Sequence, residues 1–161
     1  GGIGYDLAGH MLDQIVWILG RPLKVTSFLR HDDSPVPGFA DNTLMVHEYP
    51  RAMSMVDIAA MEVRPMARRY EVYGTQGTAI LLEPFEPAQA ISLSLDQDRA
   101  GFAKGNQVIP VQPQSRQSLY ELELEAFLAT VSGERPPDRS LEHELLVQET
   151  LLRGVGILPP E

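Results

Sequence analysis

Asp6-Leu7-Ala8-Gly9-His10-Met11-Leu12-Asp13-Gln14-Ile15-Val16-Trp17-Ile18-Leu19-Gly20-Arg21-Pro22 is the stretch from which the fold is read. Leu7, Met11, Leu12, Ile15, Val16, Ile18 and Leu19 recur at helical spacing, and Gly20 followed by Pro22 stops the run. The spacing predicts an amphipathic helix from about Asp6 to Leu19. Asp6, His10, Asp13 and Trp17, spaced four, three and four, stack along its other side.

Beyond this helix the chain reads as strands. Leu23 to Arg30 alternates, with Leu23, Val25 and Leu29 on one face. His31 to Asp41, with two prolines, a glycine and three aspartates, marks a loop. Thr43 to Glu48 and Ala52 to Val63 form an antiparallel pair around Tyr49-Pro50-Arg51, and Arg69 to Tyr73 and Thr78 to Leu82 flank the turn Gly74-Thr75-Gln76-Gly77. Ala90 to Leu95 alternates cleanly, and Gln107 to Val111 is a weaker strand.

The period then changes to that of a helix. Ser118 with Glu121 is a capping-box signature, and Tyr120, Leu124, Phe127, Leu128 and Val131 follow it at helical spacing until Gly133, Pro136 and Pro137. A last helix runs from about Ser140 to Arg153, with Leu141, Leu145 and Leu152 on its core side. One helix, six or seven strands and two helices make an α+β domain: an open, mainly antiparallel sheet of about six strands with helices packed on one face. The other face needs a cover. Phe28, Met45, His47, Tyr49, Met53 and Met55 are expected to form it, and a sheet-on-sheet homo-oligomer is the expected cover.

The 161 residues suit one ordinary domain, and 43% hydrophobic with 22% charged residues is a globular composition. No apolar run reaches the ~18 residues of a membrane span. The absence of cysteine removes disulfides, thiolate metal sites and thiol nucleophiles, and it fits a reducing cytoplasm. A net charge of -9 argues against nucleic-acid binding, since the only basic cluster is Arg64, Arg68 and Arg69. His31-Asp32-Asp33 and Glu142-His143-Glu144 have metal-ligand residue types without converging partners, so no metal site is expected.

Residues four apart on a helix bring their Cβ atoms to roughly 5–6 Å, which places Asp6 within reach of His10. Histidine, with an unperturbed pKa of about 6.5, suits proton transfer near neutrality, and a neighbouring carboxylate orients the imidazole. The plain structural alternative is that Asp6 caps the helix and His10 is a surface residue. Trp17 has the shape to stack on a sugar, or to pack on the sheet. Gly1 and Gly2 permit close approach of a ligand to the backbone.

Gly1-Gly2, Asp6 and His10, continuing through Leu12-Asp13 to Leu19-Gly20-Arg21-Pro22, resemble the helix that opens the C-terminal domain of the Gfo/Idh/MocA oxidoreductases, the glucose-fructose oxidoreductase and inositol dehydrogenase group. Tyr70 to Thr78 resembles that family's sheet hairpin, and Glu125-Ala126-Phe127-Leu128 through Gly133-Glu134-Arg135-Pro136-Pro137 resembles its penultimate helix. Family members often carry glycine two residues after the aspartate, where this chain has Ala8.

The resemblance implies an N-terminal Rossmann domain, expected outside this chain, that binds NAD or NADP. It implies His10 as the acid/base that exchanges the substrate hydroxyl proton, and Asp6 as the group that orients His10 or a neighbouring hydroxyl. Asp13 and Trp17 are expected to touch the substrate, a sugar, cyclitol or related polyol. Gly1 and Gly2 are expected near the cofactor, with none bound to this domain alone. Two further readings share the fold: an NAD-dependent glycoside hydrolase, and a non-catalytic dimerisation or ligand-binding module.

Overall fold

Helix α1 (Ile3–Leu19) begins ahead of Asp6, because Gly2 and not Asp6 is its N-cap. Gly2 adopts φ 72°, a left-handed value open to glycine. The next amide, Ile3 N, donates to Ala40 O at 2.8 Å. The structure, a computed structural model, describes residues 1–63, 68–82 and 89–159. Of the basic cluster Arg64, Arg68 and Arg69, Arg64 lies outside the described residues.

The chain divides into two compact units, residues 1–62 with 138–161, and residues 63–137. In the first unit β1 (Lys24–Arg30), β2 (Asn42–Glu48) and β3 (Met53–Ala59) form an antiparallel sheet in the order β1-β2-β3. The register pairs Met45 with Ser27 on one side and with Val56 on the other. Side chains alternate across a sheet, so Val25, Thr43, Met45, His47, Val56 and Ile58 share one face. All six are buried there. That face packs against α1 and α3 (Leu141–Gly154). Ala8, Leu12, Met45, Val56, Ile58, Leu151 and Val155 form the core.

Both helices come close to the sheet at Met45. A Cβ on Gly4 would stand 2.9 Å from Met45 Cε, and one on Gly154 would stand 2.6 Å from Met45 Sδ. Real Cβ atoms do not pack at such distances, so both helices present glycine at this contact. Gly4, Ala8, Leu12 and Val16 make the buried stripe of α1. Leu7 and Ile18, which the spacing places in the core, are exposed. The stripe is narrower than the apolar spacing implies because the helix meets the sheet along small residues.

The second unit contains β4 (Glu71–Gly74), β5 (Gly77–Leu82), β6 (Ala90–Leu95), β7 (Gly105–Pro110) and α2 (Arg116–Val131). Its four strands pair in sequence order, all antiparallel. The fold is therefore α+β with open antiparallel sheets, and its seven named strands divide as three and four. The cap of α2 is Ser115, whose side chain accepts from Ser118 N. Ser118 stands inside the first turn, and Glu121 instead accepts from Gln117 Nε2. Leu141 and Leu145 of α3 are exposed, while Thr150, Leu151 and Gly154 are buried. The contact with the core falls on the second half of that helix.

The expected open face of the first sheet also changes. Met45 and His47 lie fully buried on the helix-covered side, whereas Phe28, Met53 and Met55 are 58–65% exposed on the other. The strand register is the reason, because it opposes Met45 to Val56 and Met55 to Val46.

His47 has Nδ1 3.2 Å from Ser54 Oγ, and its Nε2 has no partner among the described residues. Burial pushes its pKa below the ordinary value. The unfolded chain takes up this proton at about pH 6.5, and the folded chain only at lower pH. The stabilising contribution is therefore complete above about pH 6.5 and declines on acidification toward the folded pKa. Melting temperatures measured from pH 7 to pH 5 are expected to fall more steeply for the native chain than for His47→Leu; parallel curves would contradict this assignment.

Candidate functional site

Asp6, His10, Asp13 and Trp17 occupy one stripe of α1, about 16 Å long at the helical rise. Asp6 lies in the first turn and makes no cap hydrogen bond, so the capping explanation of this aspartate does not hold. Asp6 and His10 are both exposed, and neither has a hydrogen-bond or ion-pair partner among the described residues. They are an available carboxylate and an available imidazole on the same helical face.

The start of α1 is held by the loop between β1 and β2. Asp41, only 2% exposed, accepts from the backbone amides of Asp32, Asp33 and Ser34. These amides, that of Asp32 foremost, hold its carboxyl down to about 2. Arg30 and Asn42 both donate to Asp32, and His31 Nδ1 lies 2.8 Å from Phe39 O. His31-Asp32-Asp33 is thus occupied in ordering its own loop. Next to Asp41 at the end of the loop, the Ala40 carbonyl receives Ile3 N. A Cβ on Gly2 would stand 2.3 Å from that carbonyl oxygen. The close approach permitted by Gly2 is accordingly made to Ala40.

The other half of the stripe engages α3. Ser140 caps α3 by accepting from His143 N, which fixes His143 on the first turn and Arg139 just ahead of it. His143 Nε2 lies 2.6 Å from Asp13 Oδ1. Arg139 Nε donates to the same oxygen at 3.4 Å, and its guanidinium carbon stands 4.5 Å from the centroid of the Trp17 ring. Further along, Arg21 donates twice to Glu149, at 2.8 and 2.9 Å, and Arg153 donates to the same carboxylate. The Arg21 and Arg153 guanidinium groups hold Glu149 at about 2. His143 and Arg139 are the residues that sequence reading did not place at the stripe. Nothing local signals them, since Asp13 and His143 are 130 positions apart. No group of three or more His, Asp or Glu able to hold a metal occurs among the described residues.

The first 80 residues, which contain the stripe and the loop that anchors it, match the GFO/IDH/MocA C-terminal domain over residues 1–80. The chain belongs to this family. Solved structures carry the same fold across nearly the whole chain. An oxidoreductase from Agrobacterium radiobacter, in complex with NAD+, L-tartaric acid and magnesium, is 18% identical with a TM-score of 0.72, covering 93% of this chain and 45% of its own. Levoglucosan dehydrogenase in complex with NADH and L-sorbose is 14% identical with a TM-score of 0.70, covering 94% of this chain and 48% of its own. The same dehydrogenase with NADH and levoglucosan gives 13% identity and a TM-score of 0.69, with 94% and 47% covered. This Gfo/Idh/MocA domain thus spans about half the length of the structures it resembles. The comparison with curated proteins gives no match.

The left-handed Gly2 and its contact with Ala40 make a direct test of how the site is anchored. An alanine in that conformation costs roughly 1–2 kcal/mol before any clash with the carbonyl. Gly2→Ala is expected to speed amide hydrogen exchange in the first turn of α1 by about tenfold or more. Unchanged exchange at Ile3 and Tyr5 would show that the anchor does not hold Asp6 in place.

Proposed function

We propose that this domain holds the substrate of an NAD(P)-dependent oxidoreductase acting on a hydroxyl or carbonyl of a sugar, cyclitol or similar polyol. The observation that carries the reading is the exposed Asp6 and His10 pair, without partners among the described residues, on a helix whose start is firmly anchored. A buried or salt-bridged pair would serve packing; an exposed, unpartnered one is free to meet a ligand hydroxyl. The binding of NAD+, NADH, L-sorbose and levoglucosan by relatives of the same fold supports the substrate class.

His10 accepts the proton of the reacting hydroxyl in oxidation and returns it in reduction. Asp6 orients the imidazole or accepts from a neighbouring substrate hydroxyl. The nicotinamide, when bound, accepts or supplies the hydride. Gly2 is closed off by Ala40, so Gly1-Gly2 does not fit a dinucleotide cradle. We assign that cradle to a Rossmann domain of the same protein, with Gly1 near the cofactor. Asp13 and Trp17 border the substrate from the far half of the stripe.

The exposed Phe28, Met53 and Met55 suit a second copy packed sheet on sheet. No helix among the described residues is long and apolar enough to cross a membrane. Cysteine-free composition fits the cytoplasm, where we place the protein.

In the protein carrying both domains, His10→Ala is expected to lower kcat/KM by about 10²–10⁴-fold, the usual range for loss of a general base. Turnover at the native rate would refute the assignment. Product analysis separates the chemistry: a ketone with reduced cofactor identifies a dehydrogenase, and a released aglycone with cofactor unchanged identifies a glycoside hydrolase.

A further inference from the structure

We propose that His143 and Arg139 of the α3 entry are positioning residues, which lock the rotation of α1 through Asp13 and Trp17 and thereby aim His10. The inference rests on the catalytic reading of His10 given above. It concerns what fixes the imidazole and not what the imidazole does.

Helix α1 lies on the sheet along Gly4, Ala8, Leu12 and Val16. Two of these four have side chains no larger than a methyl group, and Ile3, Met11 and Ile15 pack against the core from the flanks, so the whole contact is apolar. Apolar packing is also non-directional, and a stripe of this kind resists separation better than it resists turning. Rotation matters here because His10 projects sideways. A 10° turn moves an atom about 6 Å from the helix axis by about 1 Å. A misplacement of that size lowers rates by up to about 10²-fold.

The directional contacts that oppose such a turn lie one turn beyond His10. The 2.6 Å contact between His143 Nε2 and Asp13 Oδ1 is short, and hydrogen bonds weaken steeply off their axis. Arg139 reaches the same carboxylate oxygen and covers the Trp17 ring at 4.5 Å. Asp13 and Trp17 are four apart, so the two contacts grip the helix at successive turns of one face. His143 and Arg139 are in turn set by the Ser140 cap of α3. Arg21 and Glu149 tie the segment after α1 to the same helix, which leaves the polar links between the two helices on the side that carries His10.

The test compares His143→Phe, His143→Gln, Asp13→Ala and the Asp13→Ala/His143→Phe double variant in the protein carrying both domains. Each is assayed at a temperature where circular dichroism shows it folded. His143→Phe is expected to lower kcat by about tenfold, with KM within about twofold of native, because the substrate still binds while His10 is misaimed; Asp13→Ala, which also loses Arg139 and the substrate contact, is expected to lower kcat at least as much. His143→Gln, which keeps a donor where Nε2 stood, is expected to recover kcat to within about threefold. The double variant is expected to be no worse than Asp13→Ala alone, since the His143 contact is already lost when Asp13 is removed.

A kcat for His143→Phe within about twofold of native overturns the proposal, as does failure of glutamine to rescue, or multiplication of the two losses in the double variant. His10→Ala, measured in parallel, keeps the claims apart. If it retains turnover, the catalytic reading falls and takes this inference with it. If it loses turnover while His143→Phe does not, only the rotational lock falls.

Discussion

Met45 sits fully buried at the middle of β2, the central strand of its sheet, with α1 and α3 both resting on it. Gly4 meets its Cε and Gly154 its Sδ, so neither helix carries a Cβ at the point of contact. The geometry of the first unit follows from that triple contact. Two helices close enough to share one methionine are close enough for polar side chains to link them, as Asp13 with His143 and Arg21 with Glu149 do. A bulkier residue at position 4 or 154 would lift a helix from the sheet and pull those links apart.

Anchoring at the other end of α1 depends on a different kind of interaction. The acidic loop between β1 and β2 is folded around the carboxylate of Asp41, and its last residue but one, Ala40, accepts the first helical amide. The helix is thus gripped at its start by backbone hydrogen bonds, along its length by apolar packing and beyond its midpoint by α3. Asp6 and His10 lie between these grips, exposed and without partners among the described residues. A supported helix that presents unsatisfied acid–base groups to solvent is what a site assembled against a second domain requires.

Much of this was legible in the sequence. Period-2 alternation and turn residues located the seven named strands, and helical spacing located the three named helices, because both patterns are local. The misreadings come from longer-range causes. Ser118 looks like a cap beside Glu121, yet Ser115 caps α2, as both serines lie within one turn and geometry selects the earlier. Leu141 and Leu145 look like core residues, yet α3 meets the core from Val147 onward, with Thr150, Leu151 and Gly154 buried. Met45, Met53 and Met55 look alike in composition, but the turn in which Tyr49 N donates to Ala52 O sets a register that separates them by face. The candidate pair Asp6 and His10 was visible as a spacing. Its supports were not, since Ala40 and His143 reach α1 from distant parts of the chain.

The central claim is that the exposed face of α1 meets the reacting hydroxyl, and imidazole NMR of His10 tests it most directly. In the protein carrying both domains, saturation with a polyol substrate and cofactor should shift the His10 ring resonances while those of buried His47 stay in place. Binding that leaves His10 unmoved would contradict the account.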